Sequence, residues 1–303
     1  MTNHDYKSGL VTVIVPTHNR AKLLKRSINS IIQQDYANIE IIIIQDNCND
    51  NTYKIVNQFS DSRIKSIISN NSLGGAGARN LGIQNTNGEY IAFLDTDDWW
   101  VPTKLEKQIP LFSDHEVGLV YGNVWLFFDK QNKKKIYKKT KLPTGKILNE
   151  LLNDYVIGSP TYVIRKKSLE KLEYFFNDNF HIIGDFDINI RLAAKFKIDC
   201  IQSPVAYYRK HNTNLSLLNK KKEIDEIKIW FKQMQNNQFI SSQSNFRKVL
   251  LMAHYLEATR SIMENGFIKS MLIIEKYPFC FNKLKLVLAL LLPKFLLRII
   301  KDY

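Results

Sequence analysis

The chain predicts an α/β fold: a mostly parallel sheet with flanking helices, followed by a C-terminal helical extension. Three observations carry that expectation. Strand-like and helix-like segments alternate four times between Leu10 and Asp98. The run Ile39 to Ile44 is too uniformly apolar for a one-sided sheet and fits strands covered on both faces. From Leu217 onward every segment reads as helix.

Leu10 to Val15 (LVTVIV) is a strand of β-branched residues closed by Pro16. After the turn Thr17-His18-Asn19-Arg20, the residues Leu24, Ile28, Ile31 and Ile32 recur at helical spacing and define one buried face. Ile39 to Ile44 is the second strand; it runs into the polar turn Gln45 to Asp50, which precedes a helix from Asn51 to Phe59. Ile64 to Ser69 is the third strand, Asn70 to Gly75 a turn cluster, and Ala76 to Gln84 a helix. Tyr90 to Leu94 forms the fourth strand, and its end carries Asp95, Asp97 and Asp98. Past Pro110, Val117 to Tyr121 and Val124 to Phe128 are expected to pair around Gly122-Asn123. The lysines from Lys130 to Lys141 read as a solvated hairpin loop rather than a phosphate-binding patch. Thr144 to Asn153 and Asp185 to Phe196 follow as helices. Thr161 to Arg165 and Val205 to Tyr208 follow as strands.

With 303 residues and 45% hydrophobic content, the chain has ample material for a core. The formal charge of +14 points to an anionic partner: a nucleotide, nucleic acid or an acidic membrane surface. Nucleic acid is not expected, because the basic residues lack the interleaved aromatics of a single-strand groove. Cys48, Cys200 and Cys280 are isolated, which fits a reducing compartment. The polar N-terminus and the short apolar run after it do not read as a signal peptide, so a cytosolic protein is expected.

Crowded carboxylates at a strand end repel one another, and a cation relieves the repulsion. Their oxygens suit Mg²⁺ or Mn²⁺, with phosphate oxygens completing the shell. The alternative is an acidic turn in which Asp98 caps the next helix. Asp46 ends another strand at the same edge, as a base or ribose acceptor or as an Asx-turn residue. Arg79 follows Gly74-Gly75 in a helix that begins near this edge, where anions are favoured. The glycine spacing is not that of a dinucleotide-binding turn.

Taken together, VTVIVPTHNR, IIIIQDNCNDNT, NSLGGAGARNLGI and GEYIAFLDTDDWW resemble glycosyltransferase family 2, the inverting nucleotide-sugar enzymes with a GT-A fold. The similarity continues through GDFDINIRLA to YRKHNTNLS. It implies that Pro16 and Thr17 contact the nucleotide, Asp46 reads uracil, and Arg79 lies beside the base and diphosphate. Asp95, Thr96 and Asp97 match the D-x-D element, with Asp95 facing the ribose and Asp97 holding the metal. Asp185 takes the place of the catalytic base, with a simple helix cap as the alternative. Arg209 and His211 resemble the late residues that close over the diphosphate, the histidine joining the metal shell. Two departures stand out: Gly184 replaces an expected acid before Asp185, and Gln45 replaces the first of two aspartates.

The resemblance implies a metal-dependent glycosyltransferase (a hexosyltransferase) using a UDP-sugar and Mn²⁺ or Mg²⁺. Its acceptor would be a saccharide of the undecaprenyl-diphosphate-linked kind used in building O-antigen or capsule. The expected organisation is a catalytic domain over 1–216, with a nucleotide-binding half (10–115) and an acceptor-binding half (116–216), then helices over 217–303. Leu284 to Leu292 is too short and too interrupted to span a bilayer. With Lys283, Lys285, Lys294, Arg298 and Lys301 the tail is expected to lie on the inner face of the plasma membrane. Packing on the protein or on a second copy in a homo-oligomer is the alternative. Trp99 and Trp100 are candidates for stacking on an acceptor sugar, or for the core. The rival readings are a teichoic-acid or other glycan-modifying transferase, a nucleotidyltransferase and an inactive nucleotide-binding module.

Overall fold

A computed structural model describes residues 6–265 and 267–292. The chain divides into two compact units, Met1–Asn212 and Thr213–Tyr303.

The first unit opens with strand β1 (Lys7–Thr17), helix α1 (Ala21–Ile32), β2 (Ile39–Asp46), α2 (Thr52–Val56), β3 (Ile64–Ser69), α3 (Gly74–Gln84) and β4 (Gly88–Phe93). A two-residue strand β5 (Trp99–Trp100) and α4 (Lys104–Gln108) lead to the long β6 (Val117–Phe128) and β7 (Lys133–Ile136). Then come α5 (Leu148–Asn153), β8 (Val163–Arg165), α6 (Lys166–Leu169), α7 (Gly184–Ala193) and β9 (Lys197–Lys210). Among the described residues these strands form one sheet in the order β3-β2-β1-β4-β8-β6-β9-β5, with β7 on β6. The strands β3, β2, β1 and β4 run parallel, and β9 is parallel to β6. The short β8 is antiparallel to both β4 and β6, joining the two halves of the sheet.

Every residue of β2 is buried, as its apolar run requires. The carboxylate in its first half, Glu40, accepts from the Thr12 hydroxyl at 2.5 Å and from the backbone and side-chain amides of Asn87 at 2.7 and 2.9 Å. Burial alone would raise its pKa; these hydrogen bonds hold it below its ordinary value instead. Helix α1 lays Leu24, Ile28 and Ile31 into the core, while α3 approaches β1 so closely that a Cβ on Gly82 would meet Ile14 Cγ2 at 2.5 Å.

The expected strand pair around Gly122-Asn123 is instead one continuous strand, β6. Gly122-Asn123 marks a shift of register against β9 rather than a turn. Gly122 is needed because a Cβ would lie 2.7 Å from Val205 Cγ2. Asn123 replaces the lost ladder with its own side chain: Nδ2 donates to Lys138 O at 2.7 Å and Oδ1 accepts from Val124 N at 2.9 Å. The lysine-rich stretch contains β7, antiparallel to the end of β6. Asp98 does not cap α4, whose N-cap position is Thr103.

The second unit is helical: α8 (Leu215–Leu218), α9 (Lys220–Met234), α10 (Gln238–Ser241), α11 (Phe246–Glu264), α12 (Phe267–Glu275) and α13 (Phe281–Leu291). Phe231 stacks on Phe246 at 4.5 Å, and Ala258, Ile262, Ile274, Tyr277 and Leu286 form a second small core. No helix among the described residues is long and apolar enough to cross a membrane. Lys294, Arg298 and Lys301 of the expected membrane-facing tail lie outside the described residues.

One buried amine stands out in the first unit. Lys104 has no exposed surface; its Nζ donates to Gln108 Oε1 at 2.7 Å and sits 4.2 Å from the Trp100 ring centre. Burial pushes this amine well below its ordinary value of 10.5. The unfolded chain therefore binds this proton more tightly than the folded chain does, a cost absent above pH 10.5 that grows as pH falls. Lys104→Met is expected to raise the melting temperature by roughly 2–8 °C at pH 7, with a smaller gain near pH 10. Thermal unfolding at the two pH values checks this, and an unchanged or lower melting temperature at pH 7 would overturn it.

Candidate active site

Strands β1, β2 and β4 are parallel, so Thr17, Asp46 and the segment after Phe93 emerge at the same edge of the sheet. Asp46 is 4% exposed and ties the end of β2 to the start of α3, its two oxygens accepting from Leu73 N at 2.6 Å and Gly74 N at 2.9 Å. Gly74 takes a φ of +68°, a conformation glycine adopts without strain. Pro16 is half-buried, whereas Thr17 is buried and its Oγ1 has no hydrogen-bond partner among the described residues. His18 Nδ1 lies 2.7 Å from the Asp46 carbonyl oxygen.

The acids after β4 are separated by their partners. Asp95 Oδ1 accepts from Arg79 Nη2 at 2.5 Å, and Arg79 Nη1 donates to Gly75 O at 3.1 Å. Burial disfavours the Arg79 charge, but Asp95, Asp185 and Tyr162 favour it more, so its pKa rises. Burial raises Asp95 to about 6, with Arg79 opposing and Asp97 and Asp185 adding to the rise. The Asp95 side chain keeps 35% of its surface open, so water screens part of that effect. Thr96 is buried between the two acids. Asp97 Oδ2 lies 3.0 Å from His211 Nε2, and its backbone oxygen accepts from Arg26 Nη2 at 3.2 Å. Asp98 turns inward to accept from Arg209 N at 2.9 Å, and burial with the nearby Asp97 raises its pKa well above the ordinary value. The Arg209 guanidinium pairs with Asp129, which strengthens its hold on the proton.

Asp185 is the second residue of α7 and lies inside the first turn; the N-cap position is Ile183. Its carboxylate accepts from the hydroxyl of Tyr162, a fully buried residue at the junction with β8. Tyr155 donates to the Asp185 carbonyl at 3.2 Å and accepts from Asn189 Nδ2 at 2.9 Å. The turn of α7 is braced by Asp187 and Arg191 at 2.6 Å, with Arg191 Nη1 also donating to Tyr174 O at 2.6 Å.

Asp95, Asp97, Asp185 and Arg79 thus share one electrostatic neighbourhood, with Arg209 and His211 on its far side through Asp98 and Asp97. Tyr162, Arg26 and Asp129 were not legible as site residues, because each reaches the site through tertiary pairing rather than local spacing. Trp100 is 2% exposed and donates from Nε1 to Pro160 O at 2.8 Å, so it belongs to the core. Arg26 lies 3.8 Å over the Trp99 ring and Tyr207 stacks on the same indole at 4.9 Å. Those neighbours cover the ring faces that a sugar would need.

A metal site fits these residues on the chemistry of the donor set. Asp97 and His211 offer one carboxylate and one imidazole side by side, each partly open to solvent at 23% and 10%. No group of three protein ligands is present among the described residues. Ions that complete their shell with substrate phosphates and water do not require one.

The chain is similar to several known proteins. The family described as glycosyl transferase family 2 matches residues 12–173. An Escherichia coli relative, the UDP-Glc:alpha-D-GlcNAc-diphosphoundecaprenol beta-1,3-glucosyltransferase WfgD, is 36% identical over 167 residues. That stretch is 55% of this chain and 64% of the relative, so less than two thirds of the relative's length is spanned. The S. aureus TarS 1–349 structure in complex with UDP-GlcNAc superposes with a TM-score of 0.67 over 89% of this chain and 82% of that one, at 16% identity. The mannosyltransferase PcManGT from Pyrobaculum calidifontis, in complex with GDP-Man and Mn²⁺, gives a TM-score of 0.59 over 88% and 78% of the two chains, at 16% identity. The fold is therefore GT-A, and the chain belongs to glycosyl transferase family 2.

Proposed function

We propose that this glycosyltransferase moves a hexose from a UDP-sugar to a hydroxyl of a lipid-linked saccharide by one inverting displacement, with Mn²⁺ or Mg²⁺ bound at Asp97 and His211. The observation that carries the reading is the meeting of Asp185 with the Asp95–Arg79 pair at one sheet edge. Support for the donor and acceptor comes from the WfgD description and from the UDP-GlcNAc bound to TarS. Residues 10–115 would serve the nucleotide and 116–216 the acceptor.

In this reading Pro16, Thr17 and Asp46 border the base, and the unpartnered Thr17 Oγ1 and Arg79 Nε are hydrogen-bonding capacity kept for the nucleotide. Asp95 and Thr96 face the ribose. A divalent ion held by Asp97 and His211 would supply positive charge against the departing diphosphate. Arg209 adds hydrogen bonds to the same oxygens, and Arg79 places its half-buried charge beside them. On the opposite side the Asp185 carboxylate accepts the proton of the incoming hydroxyl. The Tyr162 hydroxyl fixes one of its oxygens so that the other is free to aim. Attack from that side inverts the anomeric centre, giving the β-linkage that the WfgD description carries.

The membrane part of the proposal rests on α12 and α13. Ile268, Met271, Leu272, Leu284, Leu288 and Leu291 are more than half exposed there, alongside Lys283 and Lys285. An apolar face with cationic neighbours fits the inner membrane surface, where a lipid-linked acceptor resides.

A screen of UDP-sugars for Mn²⁺-dependent UDP release tests the donor class; release from none of them would overturn it. Asp97→Asn is expected to cut metal-dependent UDP release by about 100-fold or more, and wild-type turnover would refute its ligand role. Asp185→Asn should leave UDP affinity unchanged while transfer falls by roughly 10²- to 10⁴-fold; equal loss of both points to a structural role. Tyr162→Phe should lower kcat about 10- to 100-fold with the donor KM unchanged, and add nothing on top of Asp185→Asn. Additive losses in that double variant would separate the two residues.

A further inference from the structure

The β6–β7 hairpin carries a cationic patch that the transfer reaction does not use. Lys130, Lys133 and Lys135 are exposed and have no carboxylate partner among the described residues. Their neighbours are differently engaged: Lys134 lies over the Trp125 ring at 4.6 Å and Lys138 pairs with Asp154 at 2.5 Å. Antiparallel register sets Lys133 opposite Phe128 and Lys135 opposite Leu126. Parallel register on the other side sets Leu126 beside Tyr208 and Phe128 beside Lys210. Directly paired residues share a face of the sheet. On that face Leu126 and Tyr208 pack against the hydrophobic core, so what the hairpin presents to solvent is its lysines. The Lys210 ammonium lies over the Tyr208 ring at 4.9 Å.

Lysines on an edge strand also discourage pairing between molecules. That purpose needs one or two charges, whereas here three consecutive residues of β7 are lysine and Lys130 continues the run across the turn. We propose that the β6–β7 hairpin docks on an anionic phospholipid surface, its lysines meeting headgroup phosphates. Charge complementarity selects this occupant: the chain carries +14, and each lysine near such a surface contributes about 1 kcal/mol. A single weak anchor gives only reversible binding, and stable association takes two signals. The hairpin supplies the electrostatic one whether or not α12 and α13 supply an apolar one, so the inference does not depend on the helical contact proposed above.

The test uses the full chain and vesicles containing phosphatidylglycerol, with neutral phosphatidylcholine vesicles for comparison. The triple variant Lys130→Gln, Lys133→Gln, Lys135→Gln should bind anionic vesicles about 100-fold more weakly, and the corresponding triple arginine variant should bind as wild type. Turnover on a water-soluble acceptor should be the same in all three proteins. Anionic-vesicle binding by the glutamine variant equal to wild type would overturn the proposal and leave edge protection as the role of the lysines. So would wild-type binding that does not distinguish anionic from neutral vesicles, or a loss confined to single-stranded oligonucleotide binding. Failure of soluble-acceptor turnover in the wild type would count against the transferase chemistry alone, because vesicle binding is read separately.

Discussion

Four carboxylates compete for one corner of this sheet, and the Arg79 guanidinium makes their coexistence tolerable. It pairs directly with Asp95 and acts electrostatically on Asp185, while burial drives Asp95 upward to about 6. The other two acids are handled by different means. Asp97 faces His211, and Asp98 turns inward to a backbone amide. A buried cation among anions is stable only when the geometry holds it. That geometry begins with the glycines that let α3 start at this edge and press against β1. A change that displaces α3 would therefore act on the charge balance before it acts on any substrate contact.

The sheet divides the work of holding this corner. The parallel strands β1, β2 and β4 deliver residues to the edge where their carboxyl ends meet. The longer β6 and β9 carry the far wall, on which Arg209 and Asp129 close. Between the two halves, β8 leads in from Tyr162, whose hydroxyl reaches Asp185. The residue that orients the acid at the start of α7 is thus anchored in the strand that joins the halves of the sheet, and their relative placement sets the aim of that carboxylate.

Much of this was legible in the sequence, for identifiable reasons. The parallel strands announced themselves through uninterrupted β-branched runs, and the third strand matches its expected limits, Ile64–Ser69. Family membership was carried by four loose blocks in the right order. The second half of the sheet was harder. Gly122-Asn123 looked like a turn because glycine and asparagine favour turns, yet close packing against Val205 explains the glycine and a side-chain repair explains the asparagine. Strand β9 extends well beyond Val205–Tyr208, as its pairing with β6 outweighs a polar stretch at Gln202-Ser203-Pro204. The positions of Asp95, Asp97 and Asp185 could be placed at element ends from spacing alone. Their partners could not, because Tyr162 lies 23 residues from Asp185 and Arg26 lies 71 from Asp97.

The setting of Trp99 has an optical consequence. Its indole is held between a guanidinium and a phenol ring, two residues from Asp97 and on the strand that pairs with Tyr207. Indole emission follows the local electric field, so a change of charge at Asp97 alters the spectrum of this side chain directly. Trp100, Trp125 and Trp230 sit in other surroundings, the first and last of them in cores. The unlabelled chain therefore carries a built-in fluorescent gauge beside its acids, and a Trp99→Phe control isolates that signal from the other three.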